Sequence, residues 1–129
     1  MFDLPTEFDE KDLIGHVLEM VCVGPFFTRL EFSKPSATTD SNQSFYVGIK
    51  GSISLSFNGA NIQAQAENPE SMAQVIKFLR LEILSVRRCG HASLELQFEL
   101  QKAIVLNGED SPDFEAYSIQ VFGKDTVLV

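Results

Sequence analysis

Four carboxylates, Glu109, Asp110, Asp113 and Glu115, lie close together in a stretch with no basic residue. Such a run offers three chemistries: a hard-cation site, a general acid–base pair, or an acidic face for a basic partner. A calcium-type loop places ligands at alternate positions and closes with a Glu, and this run has neither feature. Acid–base work needs desolvation to drive two pKa values apart, and Asp110-Ser111-Pro112-Asp113 is loop sequence, where desolvation is least. A protein-binding face needs only carboxylates in a fixed place. Glu109, Asp110, Asp113 and Glu115 are therefore read as partner-binding, against the plainer reading of a solvated turn capped by its own Asp and Ser.

Cysteine and histidine give a weaker signal. Cys89-Gly90-His91 can be drawn with Cys22 and His16 as a four-ligand zinc site, but no pair has a familiar ligand spacing. Cys22 reads better as a small buried hydrophobe. Gly48-x-x-Gly51-Ser52 lacks the Lys-Ser/Thr and the following helix of a phosphate loop. No nucleophile elbow is present. This reading assigns no catalytic residue, no cofactor and no metal.

Charge placement separates the remaining function classes. The chain has 129 residues and a net charge of −8. Residues 1–12 hold −4 and residues 107–116 hold −4, while the rest of the chain balances to zero. A nucleic-acid partner needs a basic footprint, and none is present. Arg87 and Arg88, with Lys77 and Arg80, are expected to pair with Glu82, Glu95 and Glu99. The acidic first residues do not suit a signal peptide, and no apolar run is long enough to span a bilayer. Two unspaced cysteines in a chain of this size point to reduced thiols and a cytoplasmic protein.

The elements that must position these residues are mostly strands. Residues 13–32 align without a gap on 79–98, with Leu13/Leu79, Leu18/Leu84, Gly24/Gly90, Leu30/Leu96 and Phe32/Phe98 identical. The repeat predicts one domain over 1–129 with pseudo-repeats at 7–66 and 69–129. A short helix is expected around 7–14. Strand 16–23 reads as a central strand, apolar on both faces. Strand 26–33 is expected to turn Phe26, Leu30 and Phe32 inward, and 34–43 is the longest loop. Period-two alternation on both sides of Asn58-Gly59 predicts a hairpin with a type I′ turn and an outer face of Ser, Asn and Gln. Asn68-Pro69-Glu70 opens a helix with Met72, Val75, Ile76 and Leu79 on its buried stripe. Strands at 81–89, 92–99, 102–107, 114–122 and 126–129 follow. The fold class is α+β: internally duplicated antiparallel β meanders of about eight or nine strands, with one or two helices packed on the sheet.

The segment Asp110-Ser111-Pro112-Asp113-Phe114-Glu115-Ala116-Tyr117-Ser118-Ile119 carries a resemblance. Leu13-Ile14-Gly15-x-Val17 and Leu94-x-Leu96-x-Phe98 support it. Together they resemble an uncharacterised bacterial family of small two-half β-rich proteins with a C-terminal Tyr-Glu-Ala/Ser-Trp/Tyr motif. Phe114 stands where that family often has Tyr, Leu81 where it has a second Gly, and Glu99-Leu100-Gln101 where it has an Asp-Gly turn. Proteins of this size, charge and motif resemble stand-alone immunity proteins of bacterial toxin systems. The resemblance implies a non-enzymatic, cytoplasmic protein that binds a cognate toxin domain, and the charge placement and apolar runs read above point to a basic protein partner and to neither nucleic acid nor membrane. The alternative is a small-ligand-binding or housekeeping β domain.

Overall fold

The computed structural model describes residues 3–34, 44–109, 115–121, 124 and 126–129. The strands are β1 (Val17–Val23), β2 (Thr28–Ser33), β3 (Ser44–Ile49), β4 (Ser52–Phe57), β5 (Ala60–Gln65), β6 (Ile83–Cys89), β7 (Ser93–Phe98), β8 (Ala103–Asn107), β9 (Tyr117–Val121) and β10 (Val127–Leu128). They form two antiparallel sheets of five strands, ordered β1-β2-β3-β9-β10 and β5-β4-β8-β7-β6. The strand number exceeds the expectation from sequence. Neither half of the chain builds a sheet alone. Each gives three consecutive strands to one sheet and a further pair to the other.

Two helical segments cover the sheet edges. A 3₁₀ turn at Glu10–Leu13, capped by the Asp9 side chain, packs against β6. Helix α1 (Pro69–Met72) packs on β5, and its 3₁₀ continuation Ala73–Phe78 packs on β1. The edges of β1 and β6 meet where Val17 bridges Glu82. Among the described residues no helix is long and apolar enough to cross a membrane.

One core lies between the sheets, and phenylalanine fills much of it. Phe32 stacks on Phe45 at 4.4 Å and lies 6.3 Å from Phe98 of the other sheet. Phe78 meets Phe98 edge-on at 5.3 Å. Offset and edge-on contacts of this kind add to the large area each ring buries.

The Asn58-Gly59 hairpin forms as its residues dictate. Both loop residues take positive φ, the condition for a type I′ turn. Ile53, Leu55, Phe57 and Ala64 are buried, and the outer face is joined by Ser56 to Asn61 and Gln63 to Ser54. The β7–β8 turn is less orthodox: Leu100 and Gln101 both sit at positive φ, the conformation a glycine turn supplies more cheaply.

Several expectations are corrected by local geometry. The helix at 69–79 is α-helical only over its first turn. Its remainder has three residues per turn, so Met72, Val75 and Phe78 share the buried face while Ile76 and Leu79 are exposed. Strand β1 lies at a sheet edge, not at its centre. A bulge between Leu18 and Met20 breaks its alternation. Beyond it Val21 turns inward and Cys22 outward, so Cys22 is exposed, not buried. Phe26 lies in the turn before β2 and is 74% exposed. The expected loop at 34–43 falls, after Lys34, outside the described residues.

The hairpins β1–β2 and β6–β7 correspond, with one adjustment. Val21 pairs with Leu30 and Val86 with Leu96; Leu18 pairs with Phe32 and Ile83 with Phe98. The second strands therefore match at the 66-residue offset and the first strands one residue short of it. Ile83 is buried where the gapless alignment points to Leu84, which is exposed.

Candidate protein-interaction site

The acidic run of the C-terminal half begins at Glu109, just beyond β8. Its carboxylate accepts the backbone N–H groups of His91 at 2.9 Å and Ala92 at 3.4 Å. Gly108 lets the chain come this close: a Cβ there would overlap the Ala92 carbonyl. Glu109 thus caps the β6–β7 turn. Glu115 pairs with Lys50 at 2.7 Å, where β3 hands over to β4. Asp110 and Asp113 lie outside the described residues. Of the four acids singled out from sequence, the two that are described each hold a partner within the chain.

Tyr117 fixes the same turn from below. It is buried, and its hydroxyl donates to the Ala92 carbonyl at 2.7 Å. Burial pushes its ionisation well above the ordinary phenol value. A third tie comes from the N-terminal segment, where the Leu4 N–H donates to the His91 carbonyl at 3.1 Å.

The N-terminal acids form a second acidic site beside β10. Asp9 caps the 3₁₀ turn through its bond to the Lys11 N–H, and Asp12 pairs with Lys124. Glu10 pairs with Arg88 at 3.1 Å, while Arg88 also bonds the Phe8 carbonyl and lies over the Phe8 ring. Its own backbone N–H and then Arg88 hold Glu10 below the usual carboxylate range. Between this segment and β10 opens a cavity of about 280 Å³ whose walls include Phe8, Val121 and Leu128, with Glu7, Asp9 and Asp12 among its polar lining. Sequence reading found the charge of this segment but not its cavity. Nothing in local sequence tells that residues 5–12 share a wall with Val121, Lys124 and residues 126–128.

The remaining candidates separate. His16 is buried with its ring edge against Phe45 at 4.8 Å and Nδ1 3.2 Å from the Leu13 carbonyl. Desolvation lowers its pKa, so the ring is neutral at pH 7. Cys22 and Cys89 are free thiols. Among the described residues no three His, Cys, Asp or Glu side chains group as metal ligands. Arg87 pairs with Glu95 at 2.7 Å, as expected, whereas Arg88 pairs with the N-terminal segment. Set against known proteins, the chain matches no family model, no curated protein and no solved structure.

Proposed function

We propose that this protein is a non-enzymatic binding module for a basic protein, most concretely an immunity-type protein that neutralises a cognate bacterial toxin in the cytoplasm. The observation that carries the reading is the confinement of the whole net charge to two short segments. An acidic face of that kind speeds association with a cationic partner and blocks the groups that a nuclease uses to hold phosphate. Glu109 and Glu115 are held by partners within the chain, as are Asp9, Glu10 and Asp12, so the reading rests on Glu7 of the first segment and on Asp110 and Asp113 of the second. The shared pairing of β1–β2 with β6–β7, and the reciprocal exchange of strands between sheets, support an origin by internal duplication.

The test uses a toxin domain encoded beside this gene. Association is measured by surface plasmon resonance over a salt series for wild type, for Asp110 and Asp113 changed together to Ser, and for Glu7 changed to Gln, with Glu109 left in place because it caps the β6–β7 turn. Slowed association and a flatter salt dependence in either variant, with lost protection of cells, support the reading. Wild-type binding and protection with neither variant altered would remove the acidic face from it. Failure of wild type to bind or protect counts against the immunity reading itself. The second reading, a small-ligand-binding domain, rests on the cavity beside Phe8, which at about 280 Å³ falls just under the usual range of such pockets.

A further inference from the structure

Strand β5 lies at the outer edge of its sheet, paired on one side with β4. The two-residue Asn58-Gly59 loop makes Phe57 and Ala60 the first bonded pair, so Ala60, Ile62 and Ala64 turn their backbone groups toward β4. Asn61, Gln63 and Gln65 then turn theirs to the open side. At Gln65 these groups are used: its N–H donates to Ser71 Oγ at 3.0 Å and its carbonyl accepts the Asn68 N–H at 2.9 Å. At Asn61 and Gln63 the backbone N–H and C=O have no partner among the described residues. The other edges are covered in part or short: β1 and β6 are joined through the Val17–Glu82 bridge, and β10 has only two residues.

Charge points to the same edge. Residues 51–66 form the longest uncharged run in a chain of net charge −8. A second copy that approaches either acidic segment is repelled, whereas the β5 strand itself brings no like charge into a contact.

The side chains complete the match. Ala60-Asn61-Ile62-Gln63-Ala64 is nearly symmetric about Ile62. Within the chain, Asn61 Oδ1 accepts from Ser56 and Gln63 Nε2 donates to Ser54. That leaves the Asn61 Nδ2 donor and the Gln63 Oε1 acceptor free to face outward. An antiparallel partner with its two-fold axis at Ile62 sets Asn61 against the partner's Gln63, donor to acceptor, on both sides of the axis. The same register sets the free backbone groups of Asn61 and Gln63 against their counterparts and lays half-buried Ile62 on the partner's Ile62.

We propose that this protein dimerises by antiparallel pairing of β5 with β5 of a second copy, joining two sheets into one. A single strand pair buries less than the ~1,200 Å² of a stable complex, so the dimer exchanges rapidly and forms at high protein concentration.

Sedimentation velocity across the micromolar to millimolar range tests this on the full chain. Wild type is expected to pass from monomer to dimer. Asn61→Lys with Gln63→Lys places like charges opposite each other twice and is expected to weaken dimerisation about tenfold or more. Asn61→Lys with Gln63→Glu adds as many charges but sets Lys opposite Glu, and is expected to dimerise at least as well as wild type. Circular dichroism confirms that both variants fold. A wild type that stays monomeric throughout overturns the proposal, as does a dimer indifferent to the double Lys change. A Lys/Glu variant no better than the Lys/Lys variant overturns the register.

Discussion

The hairpins β1–β2 and β6–β7 share a pairing scheme and differ at their tips. Both turn a Leu and a Phe inward from the second strand, Leu30 with Phe32 and Leu96 with Phe98. The β6–β7 tip is tied by Glu109, by Tyr117 and by the Leu4 N–H. At the β1–β2 tip the Gly24 N–H bonds the Phe27 carbonyl at 2.8 Å, and Phe26 projects into solvent. One scaffold thus carries one anchored turn and one presented turn. Acidity in a segment therefore does not by itself mark an interface, because Glu109 spends its carboxylate on the anchored turn.

The largest expected effect tests the shared part. Phe32→Ala and Phe98→Ala each remove a ring buried in the same cluster, and each is expected to cost about 3–5 kcal/mol. Urea denaturation checks this. Losses that differ severalfold would break the correspondence between the hairpins.

Next comes the anchor. Tyr117→Phe leaves the ring but strips the Ala92 carbonyl of its buried donor, at an expected cost of about 1–2 kcal/mol. The wild-type phenol adds an alkaline signature. Its ionisation is raised in the folded protein, so above pH ~10 the unfolded chain loses a proton that the native state keeps. Stability is expected to fall as pH rises past that point in wild type, and less in Tyr117→Phe.

Histidine distinguishes the hairpins at the acid end. His16, just before β1, has its pKa lowered by burial, whereas β6 is preceded by Leu81 and Glu82. Below the ordinary histidine value of ~6.5 the unfolded chain binds a proton that the native ring resists, so stability falls with falling pH until the native ring also titrates. His16→Asn is expected to flatten the pH dependence of stability between neutrality and the carboxylate range, read from urea midpoints.

These contrasts show what the sequence made legible. The β4–β5 hairpin was readable because alternation and Asn58-Gly59 are local signals that agree. The inward Leu30, Phe32, Leu96 and Phe98 were readable for the same reason. The bulges in β1 and β6 were not, since one extra residue leaves composition unchanged while reversing every later side chain. Ile76 and Leu79 misled because the α and 3₁₀ periods diverge only after a full turn. The site was least legible: the charge of residues 1–12 was plain, but the wall it shares with β10 and the capture of Glu109 by residues 91–92 depend on tertiary contacts.

Thr28 and Leu94 occupy matching inward positions at the start of β2 and in β7, opposite Val23 and Arg88. Leu94 satisfies the core, while the Thr28 hydroxyl is buried with no partner among the described residues. Thr28→Val keeps the shape and removes the unpaired group, so a gain of about 1 kcal/mol is expected in urea denaturation. A loss would mean that the hydroxyl serves the presented tip.

The smallest effect belongs to the presented tip itself. Phe27 lies against Gly48 of β3, where an added Cβ would come within 3.0 Å of its ring. Phe26 is 74% exposed. Burial, not residue type, sets the stabilising value of an aromatic ring, so Phe26→Ser is expected to change unfolding free energy by no more than about 0.5 kcal/mol. Phe27→Ser, which uncovers the ring's contact with β3, is expected to cost about 1 kcal/mol or more. Paired urea titrations of the two variants measure the difference directly. A loss at Phe26 equal to that at Phe27 would show that the β1–β2 tip is anchored after all, and the contrast between the two hairpins would fail at the point where it is most exposed.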